Sequence, residues 1–489
     1  MPELVVEECG LPARVAQLFK ERRSFETGLV VGARTSSAGK VYALEGIKTP
    51  DRAGQVPKNC STFDAEWCEE HARQVGRMLP GGIYVLGLYV FSSDADYKDG
   101  VAKYADAARA AVDASWPEAY DRKVSDCLLV HACSSQTRYT CKGLQVGHKG
   151  ATGLQPHEVK LLSDSVRNFL SLQCSHEVRL CLPVSASSST QLHKQFCKAL
   201  SAEGARIREA KGLILHSVEG SEVVALLDGS DSTKLDVLLT GRGGDAQQRQ
   251  SVGKSSKKGK GGSKGKSASS REDLTPQIQT STPYKVRLLT RPDNEIAWGA
   301  PREGEAAPAT SGEIGGVIEA VGHVTGQAFV ASRDGVDHAL NLVKEDLLRS
   351  LYTRLELCVE DAHDDDDDAE DRKPSALMQS VSKSGPTVLP LPRRVFFPWR
   401  SSIWLCDYWQ PAEGVQEAVE RCEEALGDSF LSSGGKEPEF IFVEGEATPS
   451  GMSLKRWDAK APVSLQAVAD RSKLEDVGWD CTRTEVEAP

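Results

Sequence analysis

Apolar positions change their spacing along this chain, and the clearest change falls between Asp64 and Asp96. Cys68, His71, Ala72, Val75, Met78 and Leu79 recur at three- and four-residue steps, which places them on one face of a helix. Asp64 stands where a helix cap is expected, and Glu66, Glu69 and Glu70 sit where the helix dipole favours negative charge. Pro80-Gly81-Gly82 stops the helix. From Ile83 to Phe91 the run IYVLGLYVF is almost wholly apolar, the pattern of a strand buried on both faces. Gly87 within it predicts close approach by a neighbouring backbone.

Around this stretch the same reading gives a helix at Leu11–Glu21, strands at Glu26–Ala33 and Lys40–Ile47, a helix at Tyr97–Ser115, and strands at Cys127–Cys133 and Thr137–Leu144. The order β-β-α-β-α-β-β over residues 1–150 predicts an α/β sandwich. Residues 151–240 read as a β-rich extension of it, with a helix near Gln191–Ala202. A flexible linker is expected over 241–280, because Gly241–Ser270 holds eight Gly, seven Ser and six Lys and cannot bury a core. A smaller α+β module follows. Its first half, 281–360, carries strands at Tyr284–Thr290 and Gly316–Ser332 and a helix at His338–Glu360. The apolar side of that helix is Leu340, Val343, Leu347, Leu348, Leu351 and Leu355. An acidic, disordered insertion is expected at 361–392, the second half of the module at 393–430, and an irregular tail at 431–489.

At 489 residues the chain is long for one core, and 39% hydrophobic with 26% charged is an ordinary globular composition. A net charge of -11 argues against nucleic acid as the default partner. The thirteen cysteines have irregular spacing and no CxxC pair, and many lie in apolar runs. They read as buried small hydrophobes of a reducing compartment. No signal peptide is expected, and no run approaches the about 18 apolar residues of a membrane span.

Little in the chain resembles a reaction centre. The GKS triplets at Gly253 and Gly265 lack the upstream glycine of a phosphate loop, since Gln248 and Lys260 occupy those positions. The run Asp364–Asp368 lacks EF-hand spacing. Cys406 and Asp407 would need a distant histidine to form a hydrolase triad. His71, on the apolar helix face, reads first as a core residue.

The segment AEWCEEHARQVGRMLPGGIYVLGLYV resembles the signature of the Odr-four-like, odorant-receptor-trafficking family. FETGLVVG near residue 25, Lys48–Pro50, CSHEVRLCLPVSA and RVFFPWRSSIWLCDYW agree with it. The resemblance implies a non-catalytic adaptor that assists trafficking of membrane receptors and recruits the ubiquitin-fold-modifier-specific protease to the cytoplasmic face of the endoplasmic reticulum. Members usually end in a hydrophobic anchor. No such run ends this sequence, so peripheral association is expected.

A fainter resemblance is to the MPN domain of metalloprotease-like deubiquitinases, which implies an MPN-like three-layer sandwich. A working site of that kind needs a carboxylate base, two imidazoles and an aspartate around zinc. Aligned on FETGLVVG and GLYVFSS, the positions hold Phe25, Val90, Ser92 and residues near Gly100 and Lys103. No metal or other cofactor and no catalytic residue is therefore expected. The expected partner surfaces are the helix at Tyr97–Ser115 and the helix after Asp64, the latter through Trp67, His71, Val75 and Met78. The alternatives are a hydrolase acting on ubiquitin-like conjugates and an RNA-associated protein using its lysine-rich linker.

Overall fold

A computed structural model describes residues 3–36, 40–52, 56–117, 120, 126–165, 169–185, 200–218, 221–227, 234–235, 283–289, 314–363, 387–390, 392–400, 403–409, 413, 415–427, 430, 442–444 and 454–456. The lysine-rich linker, the Asp364–Asp368 run, most of the tail and the greater part of the helix expected at Gln191–Ala202 lie outside these residues.

The first part runs β1 (Glu3–Glu7), α1 (Leu11–Lys20), β2 (Glu26–Arg34), β3 (Lys40–Lys48), α2 (Ala65–Met78), β4 (Ile83–Ser92), α3 (Asp94–Ala114), β5 (Asp126–Cys133), β6 (Tyr139–Gln145) and β7 (Gln155–Leu162). The expected elements are present within a few residues. The mixed α/β character holds, but the sheet closes into a barrel in the order β1-β3-β2-β4-β5-β6-β7. A three-layer sandwich needs an open sheet between helices. Here β1 pairs in parallel with both β3 and β7 and so joins the two edges. The short ELVVE run that does this carries no periodic signal of its own.

β4 is buried along its whole length, as its apolar run predicts. Tyr84, Leu86, Tyr89 and Phe91 pack on the side shared with α1. Ile83, Val85, Leu88 and Val90 pack on the side shared with α2 and α3. The alternation switches parity at Gly87, where the pairing with β2 also shifts register. Gly87 has φ of +152°, and a Cβ there would stand 1.8 Å from the Leu128 carbonyl oxygen, so only glycine fits.

The second part contributes β8 (Phe169–Ser185), a helical stretch at 200–209, β9 (Lys211–Val218), β10 (Ser221–Leu227), β11 (Tyr284–Leu289), β12 (Ile314–Ala331), α4 (Val336–His363), β13 (Thr387–Pro390), β14 (Arg393–Arg400), β15 (Ile403–Trp409), α5 (Val415–Leu426), β16 (Phe442–Glu444) and β17 (Leu454–Arg456). One sheet has the order β10-β9-β11-β8-β12-β13, and another has β15-β14-β16-β17. β8 and β12 pair antiparallel from Phe169↔Ala331 to Ser185↔Ile314. Strands from 151–240 and from 281–360 thus share one sheet. β13 lies inside the stretch expected to be an acidic insertion.

The Pro80-Gly81-Gly82 turn joins the barrel to this sheet. Gly81 N–H donates to the Gln327 carbonyl and Phe329 N–H donates to the Gly81 carbonyl, each at 2.9 Å. Gly82 has φ of +82°, and a Cβ on it would meet the Phe329 carbonyl oxygen at 2.2 Å. The stop signal of α2 is therefore also a tertiary contact.

Candidate functional site

β2 begins where the parallel strands β4 and β5 end, with Glu26 opposite Phe91 and Ser92 opposite Cys133. This is the place where the sequence puts the missing MPN groups. Phe25 and Val90 are buried among apolar side chains. Ser92 is buried, and its Oγ donates to the Ser93 carbonyl at 3.3 Å. A Cβ on Gly100 would press on Cys60 and Tyr104. Lys103 Nζ donates to the carbonyls of Cys60 and Phe63 at 3.1 and 2.5 Å.

Polar groups do exist near the junction, each held by its own chain. Glu26 is buried and accepts from Arg14 Nε and Nη2 at 2.9 and 2.6 Å, and from the Tyr89 hydroxyl at 2.9 Å. Burial, with the Glu26 charge beside it, holds the Tyr89 phenol protonated and so able to donate. Asp94 accepts twice from Arg138 Nη2 at 2.7 Å, and that hydrogen bond lowers its pKa.

His131, which the sequence reading passed over, is buried on β5. Its Nε2 donates to the Ser92 carbonyl at 3.1 Å, leaving Nδ1 as an acceptor 3.9 Å from Asp94. Burial lowers its pKa, and its ring stacks on Tyr97 at 4.0 Å. With Nε2–H committed to a carbonyl, the one ring nitrogen able to accept a proton is Nδ1, which faces the Asp94 carboxylate and not a nucleophile. These residues do not fit a zinc ion: the imidazole of His131 has its nitrogens turned to a carbonyl and a carboxylate. Among the described residues no three His, Cys, Asp or Glu side chains converge as metal ligands.

The α2 surface requires a correction. Asp64 caps the helix by accepting from Trp67 N–H at 3.0 Å, and the apolar face is as expected. That face is filled by the chain itself. Val75 and Met78 are buried with α3, α5 and β15 side chains. His71 Nε2 donates to the Ala425 carbonyl of α5 at 2.7 Å. His71, Val75 and Met78 are therefore not available to a separate partner. Trp67 is half-buried: its Nε1 donates to the Pro50 carbonyl at 2.8 Å, and the Arg52 guanidinium lies 5.6 Å from its ring centre. It opens on a shallow cleft with Phe25, Pro57 and the exposed Val56.

The family description ODR4-like, odorant response abnormal 4-like, matches residues 28–433. The chain belongs to the ODR4-like family. Among its relatives, the protein odr-4 homolog of Xenopus tropicalis is 26% identical over 411 residues, covering 82% of this chain and 78% of the relative. The human protein odr-4 homolog is 25% identical over 420 residues, covering 83% and 78%. A crystal structure of UfSP from C. elegans aligns with a TM-score of 0.39 and 8% identity, over 87% of this chain and 56% of that one, a likeness too low to assign a fold.

Within the ODR4-like span, the late block RVFFPWRSSIWLCDYW supplies β14 and β15. Cys406 is buried, its thiol directed at the Met78 carbonyl at 3.6 Å, and burial pushes its pKa up to about 11. Asp407 accepts from Arg421 Nε at 2.8 Å, not from a histidine. The triad imagined from Cys406 and Asp407 is not assembled.

A buried ionic joint lies beside it. Asp346 on α4 and Arg394 on β14 are both 0% exposed and pair at 2.6 Å. Asp346 also accepts from Gln327 N–H at 2.7 Å and lies 3.5 Å from Arg349, which donates to the Leu79 carbonyl. Glu444 on β16 pairs with Arg354 at 2.8 Å and accepts from Arg394 N–H at 3.0 Å. The guanidiniums of Arg354 and Arg394 lie 5.6 and 5.5 Å from the Tyr408 ring centre. Asp346, Arg349, Ser350, Thr353 and Arg354 recur at helical spacing, and all five are buried.

Proposed function

We propose that this ODR4-like chain is a non-catalytic adaptor. It assists localisation of membrane receptors at the cytoplasmic face of the endoplasmic reticulum and recruits the ubiquitin-fold-modifier-specific protease there. The MPN-like character of the barrel, with Phe25, Val90 and Ser92 in place of ligands, belongs to this proposal. One observation carries it: Glu26, Asp94 and His131, the polar groups where a reaction centre would sit, are each committed to a partner within the chain. The names of the relatives support a trafficking role. Peripheral attachment accords with the described helices, none of which is long and apolar enough to cross a membrane.

The test immobilises the full chain and measures retention of the protease, alongside cleavage of a modifier fusion by the chain alone. Retention without cleavage is expected. Cleavage by the purified chain would make it a hydrolase, and loss of retention would remove the adaptor. Trp67→Ala is the informative interface variant, expected to weaken retention without unfolding the chain, because Trp67 is the member of the α2 set left at the surface.

A further inference from the structure

Among the described residues, the end of the barrel opposite the β4–β5 junction forms a mouth with a cavity of about 380 Å³, lined by Arg34, Lys40, Val41, Asp126, Leu144 and His157 among others. That volume lies in the range of ligand pockets, and barrel mouths are a recurrent place for them. Both walls are fixed in advance. Arg34 donates to the Asp126 carboxylate and carbonyl at 2.7 and 2.8 Å. On the other side, the buried Arg109 of α3 donates to the carbonyls of Gln145, Gly150 and Thr152, and the Asp106 carboxylate accepts from Gly150 N–H. The end of β6 and the loop that follows it are thus pinned at three carbonyls and one N–H.

Charge at the mouth is uneven. The Asp126 carboxylate is committed to Arg34, and among the described residues the Lys40 ammonium has no carboxylate partner. The His157 ring stands over Gly143, where a Cβ would meet it at 2.1 Å, so the glycine makes room for the imidazole. With Arg34 balanced by Asp126, Lys40 carries the excess charge of the rim, and the floor is apolar at Val41 and Leu144.

We propose that the barrel mouth binds a small amphipathic anion, its oxyanion head on Lys40 and its apolar body against Val41 and Leu144. The head is a carboxylate or a phosphate ester, and the site is independent of the adaptor surface at Trp67.

Titration calorimetry of the full chain at pH 7 with octanoate, octyl phosphate and octanol tests this. One-to-one binding of at least one anion is expected, with octanol about tenfold weaker or worse. Whichever anion binds more tightly identifies the head group. Lys40→Met keeps the apolar stem and should weaken binding about tenfold. Gln155→Trp, an exposed rim position, should block the mouth, with the fold of both variants checked by circular dichroism. Binding of neither anion, equal affinity for octanol, or unchanged affinity in both variants overturns the proposal.

Discussion

The barrel and the joint around α4 are both buried, yet different forces hold them. In the barrel, β4 contributes apolar side chains on both faces, with Ser92 at its end. In the joint, Asp346, Arg349, Arg354, Arg394 and Glu444 sit where apolar residues would ordinarily be. Non-directional burial tolerates exchange of similar side chains, whereas a desolvated ion set fails when one member is removed. The contrast suggests that the barrel is the robust part and the joint the exacting one.

The sharpest way to break that contrast is Asp346→Ala. It leaves Arg394 and Arg349 buried without their carboxylate and should cost about 3–5 kcal/mol, read as a fall in the urea midpoint. Replacing both partners, Asp346→Leu with Arg394→Met, should recover the part of the loss due to Arg394 alone, since Arg349 and the Gln327 N–H still lack the carboxylate. If the single and double variants are equally unstable, the joint depends on shape and not on charge.

Protonation probes where α2 meets α5. Burial lowers the His71 pKa to about 4, below the ordinary 6.5 of an unfolded chain. The folded state therefore binds fewer protons, and this contribution is full above pH 6.5 and lost as pH falls towards 4. The difference amounts to about 3 kcal/mol. His71→Gln should flatten that part of the stability profile between pH 7 and 4.5; an unchanged slope would show that other groups set it.

Gly82→Ala addresses the contact between the two parts. Its φ of +82° and the nearby Phe329 carbonyl predict a loss of about 2–3 kcal/mol. Hydrogen exchange should quicken at Phe329 before it does in the centre of β4. The mildest change is Asp64→Ala, which removes a helix cap and should cost about 1 kcal/mol in thermal unfolding. A much larger effect there would mean that the Arg52 pair matters more than the cap.

Legibility in the sequence followed the same divide. Helices and strands from Leu11 to Leu144 stand out because their apolar spacing reports burial directly, and β4 with Gly87 could be placed in detail. Barrel closure was not legible, since ELVVE is too short to reveal that it bridges two edges. The polar stripe from Asp346 to Arg354 gave no signal as a buried feature, because helical periodicity tells polar from apolar, not wet from dry. The α2 face was correctly seen as apolar, but a pattern cannot say whether another chain or the same one covers it. His131 gave no signal, being one imidazole within the run CLLVHAC.

The Gly81 bridge also has a history in time. Its N–H and carbonyl find their partners at Gln327 and Phe329, some 250 positions further along the chain. At ribosomal speeds of about 5–20 residues per second, that interval lasts on the order of 12–50 s. Throughout it, the newborn barrel displays an unmatched turn and the end of α2 at Met78, whose carbonyl later meets the Cys406 thiol. A folding helper that binds exposed apolar turns would have its longest opportunity there, before the second half emerges to relieve it.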